Sequence, residues 1–184
     1  LANIFTRFFA SKTSIPLESP PASWRASLRL QEVTEGSAEA AALFQKSFGH
    51  PLPDMPRHFL LLYQSTDAAP VLAAYIHHLQ FENVYLCGGM CVDAGVYRQM
   101  PKQLYQQIKN EGGLATIIAR ESFSRLGDSV AVFGHVGEPR ARQADLRAGF
   151  VDTDRPHLMV VWRKSLPPDE QKILIDKVEA LGPF

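Results

Sequence analysis

Cysteine is scarce, with two residues in a chain of 184. That is too few for a disulfide framework and favours a reducing compartment, so a cytoplasmic location is expected. Neither sign of charge is in excess, since 19 Lys and Arg stand against 19 Asp and Glu. A balance of zero argues against a surface built to neutralise phosphates, and the expectation is no nucleic acid. No apolar run approaches the ~18 residues of a membrane span, so no membrane partner is expected. Gly-x-Ser-x-Gly, the P-loop pattern and His-Glu-x-x-His are all missing, which leaves hydrolase, nucleotide-phosphate and zinc-protease readings without a motif. Metal-ligand spacing is missing too. His77 and His78 are neighbours in a strand and point to opposite faces, one expected at the surface and the other in the core or a cleft. Cys87 and Cys91 share a face but sit ~13 Å apart by strand rise unless a bulge intervenes, too far for one zinc or a disulfide. No metal site is expected.

What is present suits one globular domain. Leu, Ile, Val and Phe make up roughly 28% of the chain, well above the ~20% below which charged chains fail to collapse. Residues 1–24 read as a helical arm and a Pro-rich tether. Ile4, Phe5, Phe8 and Phe9 share a helix face beside Arg7 and Lys12, as in a basic leader or a helix that docks. Docking on a second copy would give a homodimer through this arm. Residues 165–184 read as a C-terminal helix opened by Pro168, Asp169 and Glu170, with Leu174, Val178 and Leu181 on its inner face.

Between these ends, periodicity and breakers give an order of elements. Ser27–Val33 alternates as a strand. Ser37 caps a helix through Phe48, with Gly49 after it. Three strands follow, His58–Gln64, Val71–Gln80 and Val84–Val92, joined as an antiparallel meander. Pro101 opens a helix that stops at Gly112-Gly113, and a second helix begins at Leu114. Ser129–His135 is a strand, Pro139–Gly149 a helix and His157–Trp162 the last strand. A meander followed by helix-strand alternation predicts an α/β (α+β) domain, a mixed, mostly antiparallel central sheet flanked by helices.

Two glycine pairs and a Gly-Phe carry local chemistry. Gly88-Gly89 lies inside a strand, where glycines mark a bulge or a close approach of backbone. Gly112-Gly113 stands before a helix, where unpaired amides and the dipole attract an anion, beside Lys109. As a plain alternative, that pair only separates two helices. Met90-Cys-Val-Asp-Ala-Gly-Val-Tyr-Arg98, Asn110-Glu-Gly-Gly-Leu-Ala115 and Ala148-Gly-Phe-Val151 complete the pattern.

Over residues 25–164 this order and these motifs resemble the GNAT superfamily of N-acetyltransferases. The resemblance implies acetyl-CoA or another short acyl-CoA as co-substrate. Its arm would lie along Met90, Cys91 and Val92, and its phosphates would meet Arg98, Asn110, Gly112, Gly113, Leu114 and Ala115. His135, at the end of the fifth strand, is the candidate to deprotonate an amine, with Tyr85 and Asp93 as further catalytic candidates. The expected reaction is acyl transfer to a primary amine, on a small molecule or a peptide. One departure favours a non-catalytic module of the same fold, binding an acyl-CoA or a protein. Asp145 stands where the family often has the tyrosine that protonates the leaving thiolate, and an ordinary aspartate is ionised at neutral pH.

Overall fold

The computed structural model describes residues 23–65 and 68–184. The expected arm falls outside them except for Ser23 and Trp24, as does the homodimer contact it would make. A four-residue helix, α1 (Trp24–Ser27), leads into β1 (Leu28–Val33). Helix α2 (Ala38–Phe48) begins where Ser37 Oγ accepts the Ala40 amide at 3.2 Å and ends at Gly49 in the left-handed region. The meander is β2 (Arg57–Tyr63), β3 (Val71–Phe81) and β4 (Val84–Val92). A 3₁₀ turn at Val96–Gln99, helix α3 (Lys102–Asn110) and helix α4 (Leu114–Phe123) then cross over to β5 (Ala131–His135). Helix α5 (Pro139–Ala148) has proline in its first turn, where no amide partner is lost, and the Glu138 carboxylate accepts the Ala141 amide at 2.7 Å. The chain closes with β6 (Val151–Asp152), β7 (Leu158–Trp162) and α6 (Pro168–Glu179).

The seven strands form one sheet in the order β1-β2-β3-β4-β5-β7-β6. Every neighbouring pair is antiparallel except β4 and β5, which the α3–α4 crossover makes parallel. Helix α4 lies across one face, placing Ile117, Ile118 and Phe123 in a core with Phe59, Ile76 and Val132. On the other face α2 sets Leu43 and Phe44 against Leu60, Tyr75 and Cys91. On that face too, α6 sets Leu174 and Val178 against Val84, Leu86 and Phe133.

Covering both faces of the central strands corrects the reading of the histidine pair. His77 and His78 are both buried. They do point to opposite faces, but neither face is solvent: His77 packs on Phe44 of α2, and His78 meets Ser122 and Phe123 of α4. Periodicity reports which residues share a face, not what covers it.

The cysteine pair is corrected by the bulge. The β3–β4 register pairs Ile76 with Met90 and His78 with Cys87, so Gly88 and Gly89 together face His77. One extra residue inverts the parity of everything beyond it. Cys87 therefore lies in the core under α4, and Cys91 lies on the opposite face under α2.

The bulge also demands glycine. A methyl group on Gly88 would land on His77 Nε2, and one on Gly89 would land on the Phe44 ring. Gly88→Ala is expected to lose about 1–3 kcal/mol of stability through overpacking, seen as a lower urea midpoint. Gly137→Ala, where a methyl meets nothing within 4 Å, is expected to leave the midpoint unchanged.

Candidate functional site

Strands β4 and β5 pair only from Val84↔Ala131 to Cys87↔Gly134. Beyond that point the bulge turns β4 aside and a cleft opens, with Gly88, Gly89 and Met90 on one wall and Gly134 and His135 on the other. Asp145 enters it from α5. The glycines keep both walls bare: Gly134 has the Phe150 ring directly against the position its methyl would take. Phe150 is itself buried and stacks edge-on against Phe123, with ring centroids 5.5 Å apart. The Gly-Phe pair thus has two separate duties. Gly149 ends α5 in the left-handed region, at φ 110°, and Phe150 supports the cleft from below.

Asp145 is 5% exposed. Among the described residues its carboxyl takes part in no hydrogen bond and no ion pair. Loss of hydration alone pushes its pKa up to about 7. The expectation of a permanently ionised, poor proton donor therefore does not hold for this environment. An aspartate near pKa 7 is half protonated at neutral pH and can give up a proton to a stronger base. Sequence reasoning missed this because its cause is burial, which no local motif announces.

His77 lies behind the bulge, against Gly88 and Gly89 and outside the lining of the cleft. The Gly89 amide donates to His77 Nε2 at 3.1 Å. His77 Nδ1 lies 3.2 Å from the Tyr75 hydroxyl, which in turn lies 2.6 Å from His58 Nδ1. Burial, with a smaller effect from His58, brings the His77 pKa down to about 4. Burial likewise lowers His58 and raises Tyr75. All three groups are neutral in the folded protein at pH 7.

The other residues singled out in the sequence are dispersed. Met90 and His135 line the cleft, and the His135 ring lies 5.9 Å from that of His157. Cys91 packs under α2, and Val92 follows it at the far end of the strand. Tyr85 sits at the opposite end of β4, where its hydroxyl bonds Arg57 and Gln80. Asp93 accepts the Gly95 amide at 2.9 Å and lines a separate groove beside α2. Arg98 lies in the 3₁₀ turn.

The Gly112-Gly113 segment joins α3 to α4 with both glycines at positive φ. Its amides are largely spoken for. Gly112 donates to Lys109, and Gly113 donates to Ile108 at 2.9 Å, which closes the end of α3. Leu114 donates to the Tyr97 hydroxyl at 3.0 Å. Thr116 Oγ1 binds back to the Gly112 and Ala144 carbonyls. Asn110 is occupied with Gln106 at 2.9 Å, and Lys109 Nζ stands 5.5 Å from the centre of the Tyr105 ring. Of the amides of Gly112, Gly113, Leu114 and Ala115, three already have partners inside the chain.

No protein-family model and no curated protein matches the sequence. Solved structures similar to the chain include a KacTA–DNA complex, at 16% identity and TM-score 0.40 over 82% of this chain and 99% of that one. The ribosomal-protein-S18-alanine N-acetyltransferase from Escherichia coli is similar at 10% identity and TM-score 0.41, over 77% and 98% of the two chains. AtaT complexed with acetyl-methionyl-tRNAfMet is similar at 12% identity and TM-score 0.38, over 80% and 99%. The sheet is the mixed, mostly antiparallel one flanked by helices that the sequence leads one to expect, with β4–β5 its parallel pair. One expectation is corrected here. Structures in this group hold DNA or a tRNA, so the exclusion of nucleic acid, and with it the list restricted to small-molecule or peptide amines, does not stand. A net charge is a sum over the whole surface and does not describe any one patch of it. Among the described residues, no helix is long and apolar enough to cross a membrane, and no group of three or more His, Cys, Asp or Glu could hold a metal.

The buried groups give opposite pH trends that one variant separates. His77 and His78 have folded pKa values of about 4 and about 3, below their unfolded value of 6.5. Their contribution is complete above pH 6.5 and is lost as pH falls. Asp145 has a folded value of about 7 against 3.8, so its contribution is complete below 3.8 and is lost as pH rises toward 7. Between pH 4.5 and 6, removing Asp145 removes a proton held only by the folded state. Asp145→Asn is therefore expected to steepen the rise of stability with pH by about 1.4 kcal/mol per unit relative to the parent. Urea denaturation of both proteins across pH 4.5–8 checks this, and equal slopes would refute the assignment.

Proposed function

We propose that the protein is an acyl-CoA-dependent N-acyltransferase that moves a short acyl group, acetyl in the first instance, from the thioester to an amine. The observation that carries this reading is the cleft between β4 and β5, which has bare glycine walls and a buried, protonatable carboxyl on one side. An extended thioester arm fits such a gap because a strand edge freed of its partner offers unused backbone groups along its length. Much of the rate enhancement would come from holding amine and thioester together.

The chemistry follows from the groups present. The amine nitrogen attacks the thioester carbonyl carbon, forming the C–N bond while the C–S bond breaks. The departing thiolate takes the proton of Asp145, and the amine's surplus proton leaves through His135 or water at the mouth of the cleft. Amide and free thiol are the products, and Asp145 regains its proton from solvent. Asp145 thus supplies the acid that the resemblance assigned to a tyrosine, by burial rather than by side-chain identity.

The Tyr97 hydroxyl on the Leu114 amide favours a second reading, in which the same fold binds an acyl-CoA or a protein without turnover. Thiol release from acetyl-CoA, measured against small amines, peptides and aminoacyl-tRNA, separates the two. Sustained release with any acceptor supports transfer, and binding of acetyl-CoA with no release supports the module. With transfer established, Asp145→Asn is expected to lower kcat about 100-fold with little change in KM for acetyl-CoA, and to abolish the fall of kcat above pH 7. An unchanged kcat would remove Asp145 from the reaction.

A further inference from the structure

The bulge at Gly88-Gly89 opens the cleft, and a cause for it lies on the neighbouring strand. A bulge frees one amide from the ladder, and a freed, part-buried amide costs about 1–3 kcal/mol unless something accepts it. His77 Nε2 is that acceptor, 3.1 Å from the Gly89 nitrogen. An amide can only donate, so Nε2 carries no proton, and a neutral ring must then hold its proton on Nδ1. From there one direction of donation follows along the whole chain. His77 Nδ1–H gives to the Tyr75 oxygen, and the Tyr75 hydroxyl gives to His58 Nδ1. The remaining His58 N–H meets the Met55 backbone. Every member is buried and each has one arrangement that satisfies it.

We infer that His77 is the positioning residue of the cleft: its Nε2 holds the Gly89 amide out of the strand ladder, its ring fills the space beside Gly88, and Tyr75 and His58 keep that nitrogen free of a proton. The inference rests on the cleft being the acyl-CoA site. It assigns His77 no contact with the reacting atoms, because its one accepting nitrogen is already occupied. Three features of the sequence then belong together: histidine at 77, glycine at 88 and 89, and tyrosine at 75. The side chain of Phe44 closes the arrangement from α2, with its ring centroid 5.8 Å from that of His77 and 5.9 Å from that of Tyr75.

The full chain uniformly labelled with ¹⁵N tests this. At pH 7 the His77 signals should show a protonated Nδ1 and a bare Nε2, with a scalar coupling from Nε2 to the Gly89 nitrogen across the hydrogen bond. A protonated Nε2 would overturn the proposal whatever the protein binds. The functional half uses calorimetry with CoA and acetyl-CoA. His77→Leu, which keeps the bulk and loses the acceptor, should bind at least 10-fold more weakly. His77→Gln, which puts an acceptor near the position of Nε2, should stay within about 3-fold of the parent. Equal binding by the leucine variant, or equal loss in both, would overturn it. Should His77→Leu fail to fold, Tyr75→Phe serves in its place: it deprives the Nδ1–H of its acceptor, so a proton on Nε2 now competes with the Gly89 contact, and the coupling to the Gly89 nitrogen and the affinity for CoA should both fall, whereas no change in either would overturn the role given to Tyr75. A parent protein that binds neither ligand would sink the acyl-CoA reading, while the tautomer and coupling would still decide the role of His77 in the bulge.

Discussion

The hydrogen bond from the Gly89 amide to His77 Nε2 is the contact on which the centre of the molecule turns. The bulge it accompanies sets the register of β4 on β3, which pairs Ile76 with Met90 and His78 with Cys87. Straightening the bulge would invert the parity of Met90, Cys91 and Val92. Cys91 would then face α4 instead of Leu43 and Phe44, and the α2 core would lose a buried member. The same straightening would carry β4 along β5 past Cys87, where their pairing now stops. The gap between the two strands and the packing of α2 are therefore consequences of one local geometry. The glycines at 88 and 89 are its steric requirement, because the imidazole and the Phe44 ring occupy the places their side chains would need.

A second constraint acts on the opposite side of the cleft. Asp145 shares the lining of the cleft with Cys87 and Phe150, and among the described residues no cation or hydrogen-bond donor keeps it charged. Such a residue lowers stability at neutral pH, since the unfolded chain hydrates an ionised carboxylate better than the cleft does. A leucine there would be the more stable choice. Under the acyl-transfer proposal, this carboxyl is a group that exchanges a proton where a leaving thiolate would need one. A loss of stability and a pKa raised into the useful range come from the same burial.

Much of the fold was legible in the sequence, and the reason is local. Pro139, Gly149, Pro168 and the Ser37 cap punctuate elements through backbone chemistry that acts within a few residues, and the structure places the boundaries within one to three positions of those read from them. Additions such as α1 and the two-residue β6 are too short to leave a period. The site was legible only in part. Gly88-Gly89 announced a bulge, but not that His77 caused it, because register across two strands is not written in either one alone. The burial of both histidines needed α2 and α4 on opposite faces, and the raised pKa of Asp145 needed its burial beside the cleft. Gly112-Gly113 shows the limit most clearly. A helix start preceded by glycines looks the same in sequence whether its amides are free or already taken by Tyr97, a residue 17 positions upstream.

That last contact sets how a phosphate could be held at the start of α4. The Gly113 amide closes α3 and is committed to the fold. The Leu114 amide is held by a neutral phenol, whose hydroxyl is a weaker acceptor than an anionic oxygen. An arriving phosphate would therefore compete with Tyr97 rather than enter an empty cradle, and the exchange favours the anion by the difference between a neutral and a charge-assisted hydrogen bond, about twofold in strength. The ring of Tyr97, edge-on to Tyr105 at 5.5 Å, would keep its apolar contact while the hydroxyl gave up the amide. Inserting α3 between β4 and α4 thus leaves the dipole of α4 in place and sets the Tyr97 hydroxyl on the Leu114 amide.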